Sequence, residues 1–217
     1  METNLERCLK YLTVLIIPIM AMCISAGDQI VQIIYGRGNF DENDVQMTYG
    51  VVIGYALGFV FQAARANMTK VLYAFQNTKK PMINGAIAVG SNIILSIILS
   101  KLIGVGGIAV ATSIAMFIVT LLLVKDVKQY LPGLSLKCCL KEALKGLVAG
   151  VVATVIVWFL HRLLTLHVLL NFFIEGMTCL LVYIILMTFM KSTCIMGIRR
   201  KCRDLVRQIM RRKDENL

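Results

Sequence analysis

Three polar side chains stand where the rest of the sequence is apolar: Gln62 and Arg65 in one run and Glu175 in another. A charged group within hydrocarbon costs about 2.5 to 3.5 kcal/mol on insertion scales, so such residues face a protein interior or an aqueous cavity and mark polar pathways. Arg65 lies near the end of its run, where its long stem can also carry the guanidinium to the membrane surface. Glu175 lies deeper and its side chain is short, so it reaches water less easily. The three are candidates for bordering a polar path, with Arg162 a loosely placed partner for Glu175. His161 and His167 flank the last turn, a place that suits a ring with one polar tip.

No catalytic centre accompanies them. The chain has no Ser/His/Asp arrangement, phosphate loop or carboxylate pair at catalytic spacing, so it does not read as an enzyme and no cofactor is expected. Its seven cysteines include no CxxC pair and no His/Cys spacing suited to zinc. Cys138 and Cys139 are adjacent, which is poor geometry for a shared metal. The cysteines read as small apolar side chains, and no metal site is assigned.

The elements that position these residues follow from composition. The 217 residues are 58% hydrophobic and 16% charged, with a mean hydropathy of +0.77, which excludes an ordinary soluble domain. A bilayer core about 30 Å thick needs roughly 20 apolar residues per helix. Runs of that kind extend from Tyr11 to Ile33, Thr48 to Thr69, Met82 to Ser100, Val105 to Val124, Gly146 to Leu164 and Val168 to Met190. The expected fold is all-α and polytopic, with about six transmembrane helices. The first run is too long to be a cleaved signal peptide and lacks a small-residue cleavage site.

Charge gives the orientation. The formal net charge is +11, and the basic residues gather in alternate connections. Arg7 and Lys10 precede the first span, Lys70, Lys79 and Lys80 surround the second turn, and Lys125, Lys128, Lys137, Lys141 and Lys145 surround the fourth. The intervening turns are poor in Lys and Arg, so the positive-inside rule places both termini in the cytoplasm. The tail, residues 191–217, repeats Ile198, Cys202, Leu205 and Ile209 among arginines. Such a basic amphipathic helix suits the anionic inner leaflet, at about 1 kcal/mol per basic residue. No aromatic interleaving or motif points to nucleic acid.

Two patterns concern packing. "GYALG" (Gly54 to Gly58) and "GLVAG" (Gly146 to Gly150) let neighbouring helices approach closely, within the chain or between copies. Pro18 removes a backbone donor inside the first span, giving a bend or a hinge. The turn "YGRGNFDENDV" (Tyr35 to Val45) faces outside in this orientation. Gly36 and Gly38 can take positive φ at the end of the first helix. Asp41 is placed to cap the second helix, with Asp44 at the capping-box position and Phe40 and Val45 as a hydrophobic staple.

The succession "YGRGNFDENDV", "GYALGFVFQAARANMTKVLYAFQNTKKP" and "KLIGVGGIAVATSIA" resembles the C-terminal part of the MurJ/MviN lipid II flippases, within the superfamily of multidrug, oligosaccharidyl-lipid and polysaccharide exporters. Gly36, Gly38, Phe40, Asp41, Tyr73 and Pro81 are the motif residues that carry the likeness, together with Tyr55, Gly58, Gly107, Ala109 and Ser113. The chain departs from the family at Asn77, often an aspartate, and at Lys80, often a threonine.

The resemblance implies a fourteen-helix transporter of the bacterial inner membrane that alternates between inward-open and outward-open states. Its cargo is the undecaprenyl-linked peptidoglycan precursor, moved from the inner to the outer leaflet. Residues 1–131 correspond to four helices of the second lobe, residues 132–190 to an added helix pair and residues 191–217 to the basic tail. The expected partners are therefore the lipid-linked precursor, membrane lipids and the N-terminal portion of the transporter, without which the chain is expected to be inactive. The competing expectations are an exporter of another lipid-linked polysaccharide (O-antigen, teichoic or capsular), and a non-transporting membrane remnant or scaffold.

Overall fold

In lipid every backbone polar group must be satisfied within the protein, so long apolar runs fold as helices. The computed structural model describes residues 2–163, 168–190 and 192, and these form helices without any strand. They are α1 (Glu2–Ser25), α2 (Gly27–Tyr35), α3 (Glu42–Ala56), α4 (Phe59–Ala74), α5 (Lys79–Ile103), α6 (Val105–Tyr130), α7 (Leu136–Leu163) and α8 (Val168–Phe189). Five are long and apolar enough to cross a membrane, and α3 with α4 makes a sixth span as a pair bent by 41°. Apart from Ser192, the tail of residues 191–217 lies outside the described residues, as does His167.

The first two spans are built differently from the expectation. α1 starts at Glu2 rather than Tyr11 and runs unbroken through the buried Pro18. Proline has no N–H, which leaves the Val14 carbonyl without its intrahelical donor. Tyr183 of α8 supplies the replacement, its hydroxyl donating to the Val14 carbonyl at 2.9 Å. Tyr183→Phe is expected to cost about 1 to 3 kcal/mol, because a buried carbonyl would lose this donor. Unfolding of the detergent-solubilised variant measures it.

The chain breaks at Ala26 instead, where φ is −128° and ψ is 20°. The Tyr49 hydroxyl donates to the Ile24 carbonyl beside the break, at 2.5 Å. α2 is thereby a separate short helix, packed on α3 and α8.

α6 is the hub, packing against α5, α3 and α4, while α1 lies between α4 and the α7–α8 hairpin. "GYALG" seats α3 on α6. A Cβ at Gly54 would fall 2.7 Å from Ala109 Cβ, and one at Gly58 would fall 2.6 Å from Ser113 Oγ. The Ser113 hydroxyl donates to the Gly54 carbonyl at 2.6 Å. "GLVAG" packs on α1, where Ile17 lies within 3.0 Å of the Cβ positions of both Gly146 and Gly150. Both glycine patterns serve packing within the chain.

The core follows α1. Leu5 and Leu9 pack with Met68, Leu72, Leu123 and Val127 at one level, and Val14 and Ile17 with Ala149, Tyr183 and Met187 at the next. Acids on the first turns of α1 hold the α6–α7 connection: the amides of Gly133 and Ser135 donate to Glu2 at 2.9 Å and to Glu6 at 2.7 Å.

The turn before α3 holds the expected cap. Asp41 Oδ1 accepts from the amides of Asn43 and Asp44 at 3.0 and 3.1 Å, and the Asp41 amide donates to Asp44 at 3.3 Å. Such a cap is worth about 0.5 to 2 kcal/mol against alanine. Gly38 takes φ +66° as expected, but Gly36 does not: its φ is −67°. Gly36 is there for room, since a Cβ would fall 2.3 Å from the Gln32 carbonyl. Phe40 lies beside Tyr35, ring centroids 6.0 Å apart, closing the turn.

Candidate functional site

α4 has a polar stripe because Gln62, Arg65, Thr69, Lys70 and Tyr73 recur at helical spacing. They line one groove together with Ala66. The opposite side of the helix carries Met68 and Leu72 into the core. Arg65 is half-buried and also borders a second groove with Ala88, Asn92, Ile93 and Met116, in which its Nη1 lies 3.5 Å from Met116 Sδ. The structure thus brings Gln62 and Arg65 together on a basic, hydrogen-bonding face open toward α5.

Next to that face, α5 buries only Asn84 and Ala88. Two of its amides are tied to α6: that of Asn84 donates to Asp126 at 2.7 Å and that of Asn92 to Thr112 Oγ1 at 2.9 Å, while Ser96 Oγ donates to Asn92 at 3.0 Å within α5.

The turn "LYAFQNTKKP" completes this end. Gln76 takes φ +55°, and the Asn77 side chain, just before the N-cap Thr78, accepts from the Lys80 amide at 3.1 Å. The Asn77 amide also donates to the Tyr130 hydroxyl at 2.6 Å. Lys80 pairs with Asp126 at 3.2 Å and bonds Gln129. Both departures from the family pattern are thus in contact with α6. Pro81 sits in the first turn of α5, where its missing N–H costs nothing, and Tyr73 is exposed on the groove side.

Glu175 is elsewhere. Val60 of α4 packs against the cluster that joins Val14 and Ile17 of α1 to Tyr183 and Met187 of α8, which sets a common level. From that level Arg65 lies further along α4 and Glu175 back along α8. The two helices run the same way, so at about 1.5 Å per residue the charges are separated by about 20 Å along the bundle.

The partners of Glu175 are Gln29 of α2 and His161 of α7, both at 2.9 Å, and its side chain is fully buried. The side chain of Arg162 lies outside the described residues. Sequence reasoning overlooked Gln29 and set His161 at an interface. The signal for Gln29 was the same as for Gln62, an amide inside an apolar run.

This is a polytopic α-helical membrane protein whose polar side chains line grooves between helices. The chain belongs to the lipid II flippase MurJ family: the family profile described as Lipid II flippase MurJ matches residues 1–191. That family is one of transporters of the bacterial inner membrane, not of enzymes.

The chain is similar to the lipid II flippase MurJ of Thermosipho africanus, 34% identical over 145 residues that cover 67% of this chain and 30% of that protein. It is also similar to the probable lipid II flippase MurJ of Bdellovibrio bacteriovorus, 28% identical over 57% of this chain and 24% of that protein. A solved structure of lipid II flippase MurJ in an inward closed conformation superposes with a TM-score of 0.74 at 29% identity, over 87% of this chain and 39% of that one. The chain therefore spans less than a third of the curated relatives it matches.

Proposed function

We infer that this chain acts as the C-terminal portion of a lipid II flippase, moving the undecaprenyl-linked peptidoglycan precursor from the inner to the outer leaflet by alternating access. The observation that carries the reading is the family match over residues 1–191. The charge asymmetry supports an orientation with both termini cytoplasmic and the Asp41-capped turn outside. Residues 1–131 serve as four helices of a lobe, residues 132–190 as the added pair and residues 191–217 as a basic tail on the anionic leaflet.

Gln62 and Arg65 border the cargo path on the open face between α4 and α5, where a cation and an amide can hold phosphate oxygens. Glu175 borders the polar region at the other level. A rocking transporter needs two halves around one midplane cavity, so transport depends on helices beyond these 217 residues.

Complementation tests this. The chain alone is expected not to restore growth to cells depleted of their flippase, whereas co-production with the N-terminal portion of a relative is expected to restore it. Growth with the chain alone would refute the dependence, and failure of every completed protein to move lipid II would refute the cargo.

A further inference from the structure

Gln29 Nε2 is 2.9 Å from both Glu175 Oε2 and His161 Nδ1, and His161 Nδ1 is 2.9 Å from Glu175 Oε1. A carboxylate oxygen and an unprotonated ring nitrogen are both acceptors, so the Glu175–His161 contact needs a hydrogen between them. With that hydrogen on the ring and the carboxylate ionised, Gln29 donates to Oε2. Its amide nitrogen then also faces a ring N–H that cannot accept. The Gln29 carbonyl oxygen, meanwhile, is buried without a hydrogen-bond partner.

Turning the amide end for end puts its oxygen at the centre, where it accepts from the ring N–H and from a protonated Oε2. The two orientations of Gln29 therefore match two proton counts of the pair.

The two side chains of the pair differ in exposure, and His161 is the last residue of its apolar span. Glu175 has no exposure, whereas the His161 side chain keeps 40%. Titratable groups near this end of the packed elements include Asp28 and Tyr35 on α2, Cys23 on α1, Glu42, Asp44, Tyr49 and Tyr55 on α3 and Cys179 on α8, while Tyr183 of α8 lies a level away; the side chains of Arg162 and His167 are outside the described residues.

We propose that Gln29, His161 and Glu175 form a proton-binding site at the junction of α2, α7 and α8, which takes up one proton from water past His161 and thereby loosens α2. One O–H bond forms at Glu175, the charge of the pair goes from one negative to none, and no electron moves. Ionised, Glu175 accepts a charge-assisted bond from Gln29. Protonated, the contact is between neutral groups and holds α2 less firmly. α2 can respond because the helix breaks at Ala26, and it packs more on α3 and α8 than on α1.

The full 217-residue chain in lipid nanodiscs, titrated with acid, provides the test. Infrared difference spectra are expected to show a carboxylic acid band that grows as pH falls, persists in Asp28→Asn and is lost in Glu175→Gln. Hydrogen exchange corrected for intrinsic rates is expected to show protection of α2 amides falling about fivefold over the same interval, the difference between a charged and a neutral hydrogen bond. In Glu175→Gln that protection no longer responds to pH. The proposal is overturned by wild-type spectra without a titrating acid band, by a band that survives in Glu175→Gln, or by α2 protection that ignores pH in the wild type. The wild-type measurements decide it even if a variant does not fold.

Discussion

Gly54→Leu is expected to unseat α3 from α6 and give a chain that unfolds far more readily than the wild type. The Cβ alone would fall 2.7 Å from Ala109 Cβ and 3.1 Å from the Val110 amide nitrogen. Backbone cannot move aside as the end of a flexible side chain can. Overpacking of this kind costs about 1 to 3 kcal/mol, and the bond from Ser113 to the Gly54 carbonyl is lost as the helices separate. Because α6 also carries α4 and α5, the damage spreads to the face that holds Arg65. Gly50→Ala is the control on the same helix, since nothing lies within 4 Å of its Cβ position. Thermal unfolding in detergent is expected to show a large loss for Gly54→Leu and little change for Gly50→Ala. Equal behaviour of the two would mean that α3 does not pack through this glycine.

The second large effect is expected at Glu175→Ala, at about 2 to 4 kcal/mol. Truncation opens a void at a fully buried site and removes the acceptor of Gln29 and the partner of His161. Single interhelical hydrogen bonds in membranes average only about 0.6 kcal/mol, so most of the loss comes from the cavity, with a smaller part from the lost acceptor. Glu175→Gln keeps the volume and one acceptor and is expected to lose less than half as much. Unfolding of the two variants side by side separates the contributions. A smaller loss for alanine than for glutamine would show that the cluster is a burden on stability rather than a support.

Much of the fold was legible because its signals are local. Apolar runs of bilayer length mark the spans whatever surrounds them, and the Asp41 cap needs only the residues that follow it. The first span differs in where it starts and where it breaks. Pro18 lies inside the helix as its position implies, and Tyr183, distant in the chain, supplies the missing hydrogen bond. The break at Ala26 has no proline to announce it, and Tyr49 covers the carbonyl beside it. Gly36 shows the limit of inferring backbone angle from residue type: the turn uses its small size rather than its freedom at positive φ.

The candidate site divides in the same way. Gln62 and Arg65 share a helix face, and the spacing of α4 alone brings them together. Glu175 was visible as a charge that had to face something, but its partners lie 146 residues before it, on α2, and 14 before it, on α7. The sequence by itself determined a membrane-embedded helical chain, the approximate positions of its spans, the charge asymmetry and the family likeness. All of these depend on residue type and on short spacing. Only the tertiary structure decided that both glycine patterns face helices of the same chain, that Tyr183 repairs Pro18, and that Glu175 is joined to Gln29 and His161 rather than to Arg65. Those depend on which helix faces meet, and in lipid, where exposed apolar surface carries no penalty, hydrophobic pattern does not say which faces those are.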